Sequence, residues 1–180
     1  MWQPAMISYL ENSEIDRKKW DDCIGSSINS LIYAYSWYLD EACYNWDALV
    51  LDDYEAVFPI PYNSKCGLKY SLQPVFGQQL GLFVRQTEDL KLLPDFLNHI
   101  PKKFLFVKLN LNSLNKNVPG LATKHNHLLD LISDYDTLSS AYSERQKKSL
   151  KKAQSSKCTL LSGVGTGDFI DLYRDTVGKR

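Results

Sequence analysis

The sequence predicts an α+β fold in which helices flank a mostly antiparallel sheet. Short apolar segments of alternating polarity, typical of strands, follow one another between residues 46 and 72. The turns between these segments are too short for crossover connections, so neighbouring strands should run antiparallel. Segments with helical spacing of apolar residues lie on both sides of this block, as expected for helices packed on such a sheet.

One strand and two helices are expected before the block. Residues 6–10 form a short apolar strand candidate. Ser13 and Asp16 resemble a capping box, which predicts a helix start there and a helix running to about Ile24. Apolar residues at helical spacing predict a second helix over residues 35–44.

The block itself reads as a meander of strands joined by tight turns. Its predicted parts are a strand over 46–51, a turn at 52–53, a strand over 54–62, a turn over 63–67 and a strand over 68–72. An apolar run over residues 80–84 follows a loop.

The next helix is expected over residues 87–99, because Thr87 is a good N-cap. Pro94 is a defect inside that helix, since it removes a backbone hydrogen bond. The elements expected beyond it are a strand over 103–111, a polar loop over 112–120, a strand over 123–131, a long basic helix over 136–154, a strand over 157–161 and a helix over 168–177.

A domain boundary is expected near residue 135. Residues 1–135 should form one α+β domain. Residues 136–180 supply a basic helix and few other elements, too little for a core of their own. We expect them to begin a second domain that they do not complete.

Composition limits the class of protein. Apolar residues make up 44% of the chain, charged residues 23% and aromatic residues 12%, which is typical of a globular protein and not of a disordered one. No apolar run approaches the roughly 20 residues of a membrane span. The segment 1–4 lacks signal-peptide features, and the four cysteines are widely spaced. These observations predict a cytoplasmic protein with reduced thiols.

The net charge of zero conceals an asymmetry. Residues 1–60 hold 11 acidic and 3 basic side chains, and the basic excess lies in the remainder of the chain. Arg145, Lys148 and Lys152 share one stripe of the predicted basic helix. This stripe is either a solvated helix face or a surface for a phosphate-bearing ligand. Nucleic-acid binding would normally add aromatic platforms or an overall basic charge.

Two motifs that could carry chemistry do not indicate a site. His125 and His127 would face the same side of a strand, but zinc needs a third ligand, so surface histidines and no metal site are expected. The glycine-rich segment 162–168 fits neither a P-loop nor a dinucleotide-binding motif. No nucleophile elbow or catalytic triad is present, so the sequence identifies no catalytic residue.

Four short motifs in the first half of the chain, with a fifth further on, carry a resemblance to a known family. They read Lys19-Trp20-Asp21, Tyr33-Ala34-Tyr35-Ser36-Trp37-Tyr38-Leu39-Asp40, Asn45-Trp46-Asp47-Ala48-Leu49, Gln73-Pro74-Val75-Phe76-Gly77-Gln78-Gln79-Leu80-Gly81 and Arg145-Gln146-Lys147-Lys148-Ser149-Leu150-Lys151-Lys152-Ala153. The first four resemble the N-terminal half of FemAB-like proteins of the GNAT superfamily of acyl-CoA N-acyltransferases. The fifth resembles the basic helix that opens their second half.

The resemblance implies two GNAT-like domains, of which residues 1–135 would be the first and 136–180 the start of the second. The second domain usually holds the acyl-donor site, and the amine acceptor binds in the groove between them. The implied donor is acyl-CoA or aminoacyl-tRNA, with no tightly bound cofactor. The implied acceptor is an amine-bearing small molecule or a peptidoglycan-precursor-like compound, and aminoacyl-tRNA is the one nucleic acid expected as a partner.

Two segments approach the pyrophosphate-binding loop of GNAT relatives, and both depart from it. Residues 160–165 lack the leading Gln or Arg, and residues 78–83 place Phe83 where a small residue belongs. The donor site is therefore not expected among these residues, and the isolated chain should show little turnover. An unpaired edge of the open C-terminal sheet would invite pairing with a second copy, so a homodimer that completes this sheet is a further expectation.

The expected substrate-binding residues lie around a loop and on the basic helix. Gln73, Gln78 and Gln79 suit a binding wall, or alternatively cap an irregular loop. The aromatic residues that could line the wall are Tyr35, Trp37 and Tyr70, although aromatic side chains more often belong to the core. The basic residues of the set are Arg145 and Lys148. The alternative function is a non-catalytic ligand-binding or assembly module that keeps the fold.

Overall fold

The computed structural model describes residues 6–116, 118–128, 132–156, 159 and 161–178. The chain divides into two compact units, Met1–Asn126 and His127–Arg180. Each unit is considered by itself. The incomplete second domain stays a prediction.

In the described part of the first unit, six strands form a single open sheet. They are β1 (Ile7–Leu10), β2 (Asn45–Leu51), β3 (Ala56–Lys65), β4 (Leu68–Leu72), β5 (Phe83–Val84) and β6 (Phe104–Lys108). The order is β1-β2-β3-β4-β6, and β5 pairs with the start of β3. All pairs are antiparallel except β4 with β6, which are parallel. The prediction of an α+β fold with a mostly antiparallel sheet is confirmed.

Helices cover both faces of this sheet. They are α1 (Arg17–Ser26), α2 (Ser36–Ala42) and α3 (Leu93–His99), with 3₁₀ helices at Asn12–Glu14, Ile32–Ala34 and Thr87–Leu92. Two layers of helix are needed because the apolar side chains of β2 point to both faces of the sheet. Trp46 and Val50 pack with α1 and α2, whereas Leu49 and Leu51 pack with α3.

The start of α1 differs from the prediction. Ser13 lies in the first 3₁₀ helix, whose capping box is formed by Glu11 and Glu14. Ile15 is extended and buried, which separates the two helices. Asp16 then caps α1 by accepting hydrogen bonds from the amides of Lys18 and Lys19.

The predicted turn over residues 63–67 is too long. Strand β3 continues to Lys65, and only Cys66 and Gly67 connect it to β4. Both have positive φ angles, of 51° and 79°, as a two-residue type I′ hairpin turn requires. A cysteine in this conformation gives no turn signal in the sequence, which explains the wrong boundary.

The predicted helix over residues 87–99 is two elements. Thr87–Leu92 is a 3₁₀ helix, and Pro94 lies in the first turn of the α-helix that follows. An amide in the first turn has no intrahelical acceptor, so proline there removes no bond. Pro94 is therefore a helix start and not a defect.

The strand expected over residues 123–131 is not observed where the structure describes it. Residues 123–128 form no strand and are all exposed, and residues 129–131 lie outside the described residues. A segment with no buried face has no apolar packing to hold it in a sheet. The expected strand over 103–111 is present but shorter, at Phe104–Lys108.

The second unit contains three helices in its described part. They are α4 (Tyr135–Ser140), α5 (Glu144–Gln154) and α6 (Thr166–Thr176). The single helix expected over 136–154 is broken because Ser143 and Gln146 form a capping box that starts α5. The strand expected over 157–161 falls mostly on residues 157, 158 and 160, which lie outside the described set, and Thr159 and Leu161 are not in a strand.

None of the residues described in this second unit is buried. Across the ranges that the structure describes, no helix is both long and apolar enough to cross a bilayer.

Candidate functional site

A group of aromatic residues is here called the aromatic surface. It consists of Tyr33, Tyr35, Trp37 and Tyr38, whose rings are in contact, and of Phe76, whose main chain is bonded to Tyr38. The ring centroids lie 5.6 Å apart for Tyr33 and Tyr38, 6.4 Å for Tyr35 and Trp37, and 5.7 Å for Trp37 and Tyr38. Trp37 is 54% exposed and Phe76 is 78% exposed. Aromatic contacts of this kind contribute about 0.5–1.5 kcal/mol beyond burial, so the exposed ring of Trp37 lies on an ordered support.

Helix α1 fixes the start of α2, and with it the aromatic surface. The Asp21 carboxylate accepts hydrogen bonds from the amide of Ser36 at 2.7 Å and from its hydroxyl at 2.8 Å. This carboxylate acts as the missing N-cap of α2. Gly25 allows α1 to approach Tyr35 closely, since a Cβ at this position would lie 3.3 Å from the Tyr35 hydroxyl.

Phe76 reaches the aromatic surface on a loop that is bonded to α2. The Tyr38 hydroxyl donates a hydrogen bond to the main-chain oxygen of Phe76 at 3.1 Å. Within the loop, the amide of Gly77 donates to the Pro74 oxygen at 3.1 Å. The side chain of Gln73 donates to the Gly77 oxygen at 3.1 Å. These bonds hold the loop beside α2.

The predicted glutamines have different environments. The side-chain oxygen of Gln73 accepts a hydrogen bond from the amide of Asn110 at 2.9 Å, so Gln73 caps the loop, which was one of its two expected roles. Gln78 is exposed, and its main-chain oxygen accepts a bond from the Asn110 side chain at 3.5 Å. Gln79 is half-buried.

Tyr70 lies on the same face of the sheet as the aromatic surface. It pairs with Asn63, and strand alternation puts both on the face that carries Val57 and that α1 and α2 cover. Its ring stacks on Phe106 of β6, with centroids 5.4 Å apart. The aromatic partner of Tyr70 is therefore on a neighbouring strand and not on α2.

The predicted basic residues belong to the second unit. Arg145 and Lys148 lie on α5 with exposed side chains. Lys147, on the neighbouring stripe, forms an ion pair with Glu144 at 3.4 Å.

No cluster of three or more metal-ligating side chains is found among the residues with described positions. His125 and His127 are exposed and are not on a strand, so the expected strand geometry for this pair is wrong.

The segment over residues 78–83 has amides that are already bonded. Leu80 donates to the Asn110 oxygen at 2.8 Å, and Leu82 donates to the Asn115 side chain at 2.7 Å. Phe83 is buried in the core. These amides are therefore not available to cradle a pyrophosphate.

A second group of residues, here called the Tyr9–Asp47 cluster, was not predicted. Asp47 on β2 is only 2% exposed, and its carboxylate accepts hydrogen bonds from the Tyr9 hydroxyl and from the amide of Asn12 at 3.0 Å. The Lys103 ammonium lies 3.9 Å from Asp47, 3.5 Å from Glu11 and 4.4 Å from the centre of the Tyr9 ring. The carboxylate is thus paired with a phenol and an ammonium group.

Burial of Tyr9 raises the pKa of its phenol, and the hydrogen bond to Asp47 raises it further. Tyr9 is therefore a neutral proton donor at physiological pH. Tyr9 packs on the α3 face of the sheet, and strand alternation puts Asp47 on that face with Leu49 and Leu51. The cluster therefore lies on the opposite face from the aromatic surface, and it links β1, β2 and the start of β6.

The sequence does contain a signal for this cluster. Alternation along β2 puts Asp47 on the same face as Leu49 and Leu51, and a carboxylate on a buried face requires polar partners. The identity of those partners depends on pairings over 38 and 56 residues of sequence, which local patterns do not contain.

Comparisons with known proteins add no assignment. A scan against protein-family models and searches of curated proteins and of solved structures found no match to this chain. The candidate site therefore depends on its geometry. Of the two groups, the aromatic surface has exposed side chains that a ligand can contact, whereas the Asp47 carboxylate is enclosed.

Proposed function

We propose that the chain is the first part of a FemAB-like N-acyltransferase, and that its first unit binds the amine acceptor of an acyl or aminoacyl transfer. The observation that carries this proposal is the contact between α2 and the loop of Phe76. Trp37 and Phe76 come from two separate motifs of the family resemblance, and the Tyr38–Phe76 hydrogen bond brings these motifs together at the surface. An α+β sheet flanked by helices is also the layout that the resemblance implies.

Exposure favours a binding role for these aromatic residues over a core role. A tryptophan and a phenylalanine that stay exposed lose the stabilisation of burial, about 1.5–3 kcal/mol for a phenylalanine. The surrounding bonds to Asp21 and Gly77 keep them ordered in that position. Exposed apolar surface on an ordered support is typical of an interaction site.

The role of this unit would be to orient the acceptor. Holding an amine in line with an acyl donor lowers the entropic part of the barrier, and a general base would remove its proton. The donor, acyl-CoA or aminoacyl-tRNA, would bind to the second GNAT-like domain, which residues 136–180 would begin. The bonded amides of Leu80 and Leu82 support a donor site elsewhere.

Binding of an acceptor peptide tests the proposal. A short peptide with a free lysine amine, of the kind found in a peptidoglycan stem, is titrated into the labelled chain and followed by NMR. We expect shifts at Trp37 and Phe76, and a loss of binding in Trp37→Ala and Phe76→Ala. Tyr44→Ala is the matched control, because Tyr44 is 91% exposed but is outside the aromatic surface. Equal loss in Tyr44→Ala, or no binding at all, contradicts the proposal.

A donor experiment distinguishes a half-site from a complete enzyme. We expect acyl-CoA not to bind the chain in calorimetry. Tight binding would show a complete donor site and contradict the proposed division of labour. The alternative function, a non-catalytic ligand-binding or assembly module, is favoured by the engaged amides of residues 80–84. It predicts acceptor binding without acylated product from either donor, even when the chain is joined to a complete second domain.

A further inference from the structure

One carboxylate lies beside the exposed tryptophan of the aromatic surface. Glu41 follows Trp37 by four residues in α2, so their side chains share one face of the helix with Cβ atoms about 5–6 Å apart. Both side chains are exposed. An aromatic face beside a carboxylate is the arrangement that binds an organic cation.

Other aromatic rings in the chain are covered by its own cations. The pairs are Arg17 over Trp46 at 4.7 Å, Lys69 over Tyr62 at 4.6 Å and Lys103 over Tyr9 at 4.4 Å. Among the described residues, no lysine or arginine is placed over Trp37 in this way. The π face of the Trp37 ring, which attracts cations, is therefore available to a cation from outside the chain.

The two carboxylates of α2 also differ. Asp40 forms an ion pair with Arg17 at 3.1 Å and accepts a hydrogen bond from the indole of Trp46 at 2.7 Å. Glu41 has no ion pair or side-chain hydrogen bond within the part of the chain that the structure describes. The charge of Glu41 is therefore uncompensated, in the acidic third of the sequence, where 11 acidic side chains oppose 3 basic ones over residues 1–60.

We infer that Trp37 and Glu41 form a subsite for an alkylammonium group of the ligand, and that this group is not the amine that reacts. A carboxylate and an aromatic face stabilise the charged form of an amine, whereas only the neutral form attacks an acyl group. The acceptor therefore carries a second cationic group in addition to its nucleophile. The subsite is inferred from the positions of Trp37 and Glu41 on α2. That the ammonium group bound there belongs to the amine acceptor rests on the proposed function.

A pair of isosteric probes tests the subsite without any acyl transfer. Choline is compared with 3,3-dimethylbutan-1-ol, which has the same shape but no charge, by NMR titration of the chain. We expect choline to shift the Trp37 indole signal and the neutral isostere to have at least about threefold weaker affinity. Trp37→Leu and Glu41→Gln should each weaken choline binding by about two- to fivefold. Glu88→Gln changes another exposed glutamate, and this control should leave the affinity for choline unchanged.

Two further probes distinguish the source of the ammonium group. N-acetyl-lysine amide represents a lysine in a peptide, and cadaverine represents a free diamine. Binding of either, with the same dependence on Glu41, supports the subsite and identifies the class of acceptor that it fits.

The outcomes separate this inference from the proposed function. Equal binding of choline and its neutral isostere, or equal binding by wild type and Glu41→Gln, overturns the cation subsite even if the acceptor peptide binds. Choline binding that depends on Trp37 and Glu41 supports the subsite even if no acyl transfer is found with any donor. Trp37 and Glu41 are exposed, so their variants should keep the wild-type circular dichroism spectrum.

Discussion

The hydroxyl of Tyr9 donates a hydrogen bond to the buried carboxylate of Asp47, across the β1–β2 pair of the sheet. The charged groups facing this pair are the Lys103 ammonium and the Glu11 carboxylate. Because the pKa of Tyr9 is raised in the folded chain, the folded state keeps its phenolic proton at a pH where the unfolded chain has lost it.

This difference predicts a loss of stability at alkaline pH. Below the ordinary tyrosine pKa of about 10, both states hold the proton and the contribution of Tyr9 is complete. As the pH rises above about 10, the unfolded state binds fewer protons than the folded state, so the free energy of unfolding falls. Tyr9→Phe lacks this dependence and should lose less stability between pH 9 and pH 11 in urea unfolding.

Wild type and Tyr9→Phe share every other titrating group, so the difference between their pH profiles isolates Tyr9. At pH 7 the variant should be less stable by about 1–2 kcal/mol, because one hydrogen bond to a buried carboxylate is lost. The gap between the two proteins should narrow as the pH rises. Parallel profiles would contradict the proton-holding role of Tyr9.

Removal of the Asp47 carboxylate should be more damaging than removal of the phenol. Asp47→Ala leaves the Tyr9 hydroxyl and the Asn12 amide without their acceptor and removes one counter-charge of Lys103, which should cost about 3 kcal/mol. Asp47→Asn keeps an acceptor oxygen and should cost less. Thermal and urea unfolding measure the free energy of unfolding of both variants. An Asp47→Asn variant as unstable as Asp47→Ala would show that the charge of Asp47, and not its acceptor oxygen, determines the loss.

The sequence predicted the architecture because hydrophobic period and turn spacing are local signals. Strand β2 was placed within one residue, since its apolar residues and the acidic turn at 52–53 define it without distant information. Strand β3 extends three residues beyond its predicted end because the turn is formed by Cys66 and Gly67 alone. The positive φ of Cys66 could not be predicted from its residue type. The break at Ser143 was missed because helical spacing continues on both sides of it.

The candidate site was predicted only in part, for a different physical reason. Trp37 and Gln73 were named because aromatic and amide side chains beside a loop are visible in a linear sequence. The role of Phe76 depends on a bond to Tyr38 across 38 residues, and the burial of Asp47 depends on Tyr9 and Lys103. Such contacts follow from sheet register and helix packing, which single-sequence patterns do not specify.

Gly81 should be intolerant of any side chain. Its φ angle is +114°, and a Cβ would collide with the Asn115 side-chain oxygen and lie 3.2 Å from Leu111. Asn115 bonds both the amide and the oxygen of Leu82, at 2.7 Å and 3.0 Å, so the collision would also displace these bonds. We expect Gly81→Ala to lower the free energy of unfolding by about 3 kcal/mol or more.

Gly120→Ala provides the matched control for Gly81→Ala. Gly120 also has a positive φ, of 84°, but a Cβ there would meet nothing within 4 Å. The control should therefore show only the backbone strain of about 1–2 kcal/mol. Equal costs at the two positions, measured by urea unfolding, would mean that the Asn115 contact contributes nothing.

Tyr38→Phe should loosen the loop of Phe76 while the rest of the fold stays intact. The variant loses only the hydrogen bond to the Phe76 oxygen at 3.1 Å and keeps the aromatic ring against Tyr33 and Trp37. A neutral hydrogen bond contributes about 1 kcal/mol, so local opening should become about fivefold more frequent. Hydrogen exchange at the buried Gly77 amide, which is bonded to Pro74, reports this opening.

Tyr44→Phe is the control for this measurement, since the Tyr44 side chain is almost fully exposed. We expect faster exchange at Gly77 in Tyr38→Phe alone, with the amides of β2 unchanged in both variants. If the acceptor binds to an ordered aromatic surface, Tyr38→Phe should also lower the affinity for the lysine peptide by a similar factor. The loop of Phe76 must then be ordered before the peptide binds, and this ordering costs free energy. Faster exchange without weaker peptide binding would place the peptide on α2 alone, away from Phe76.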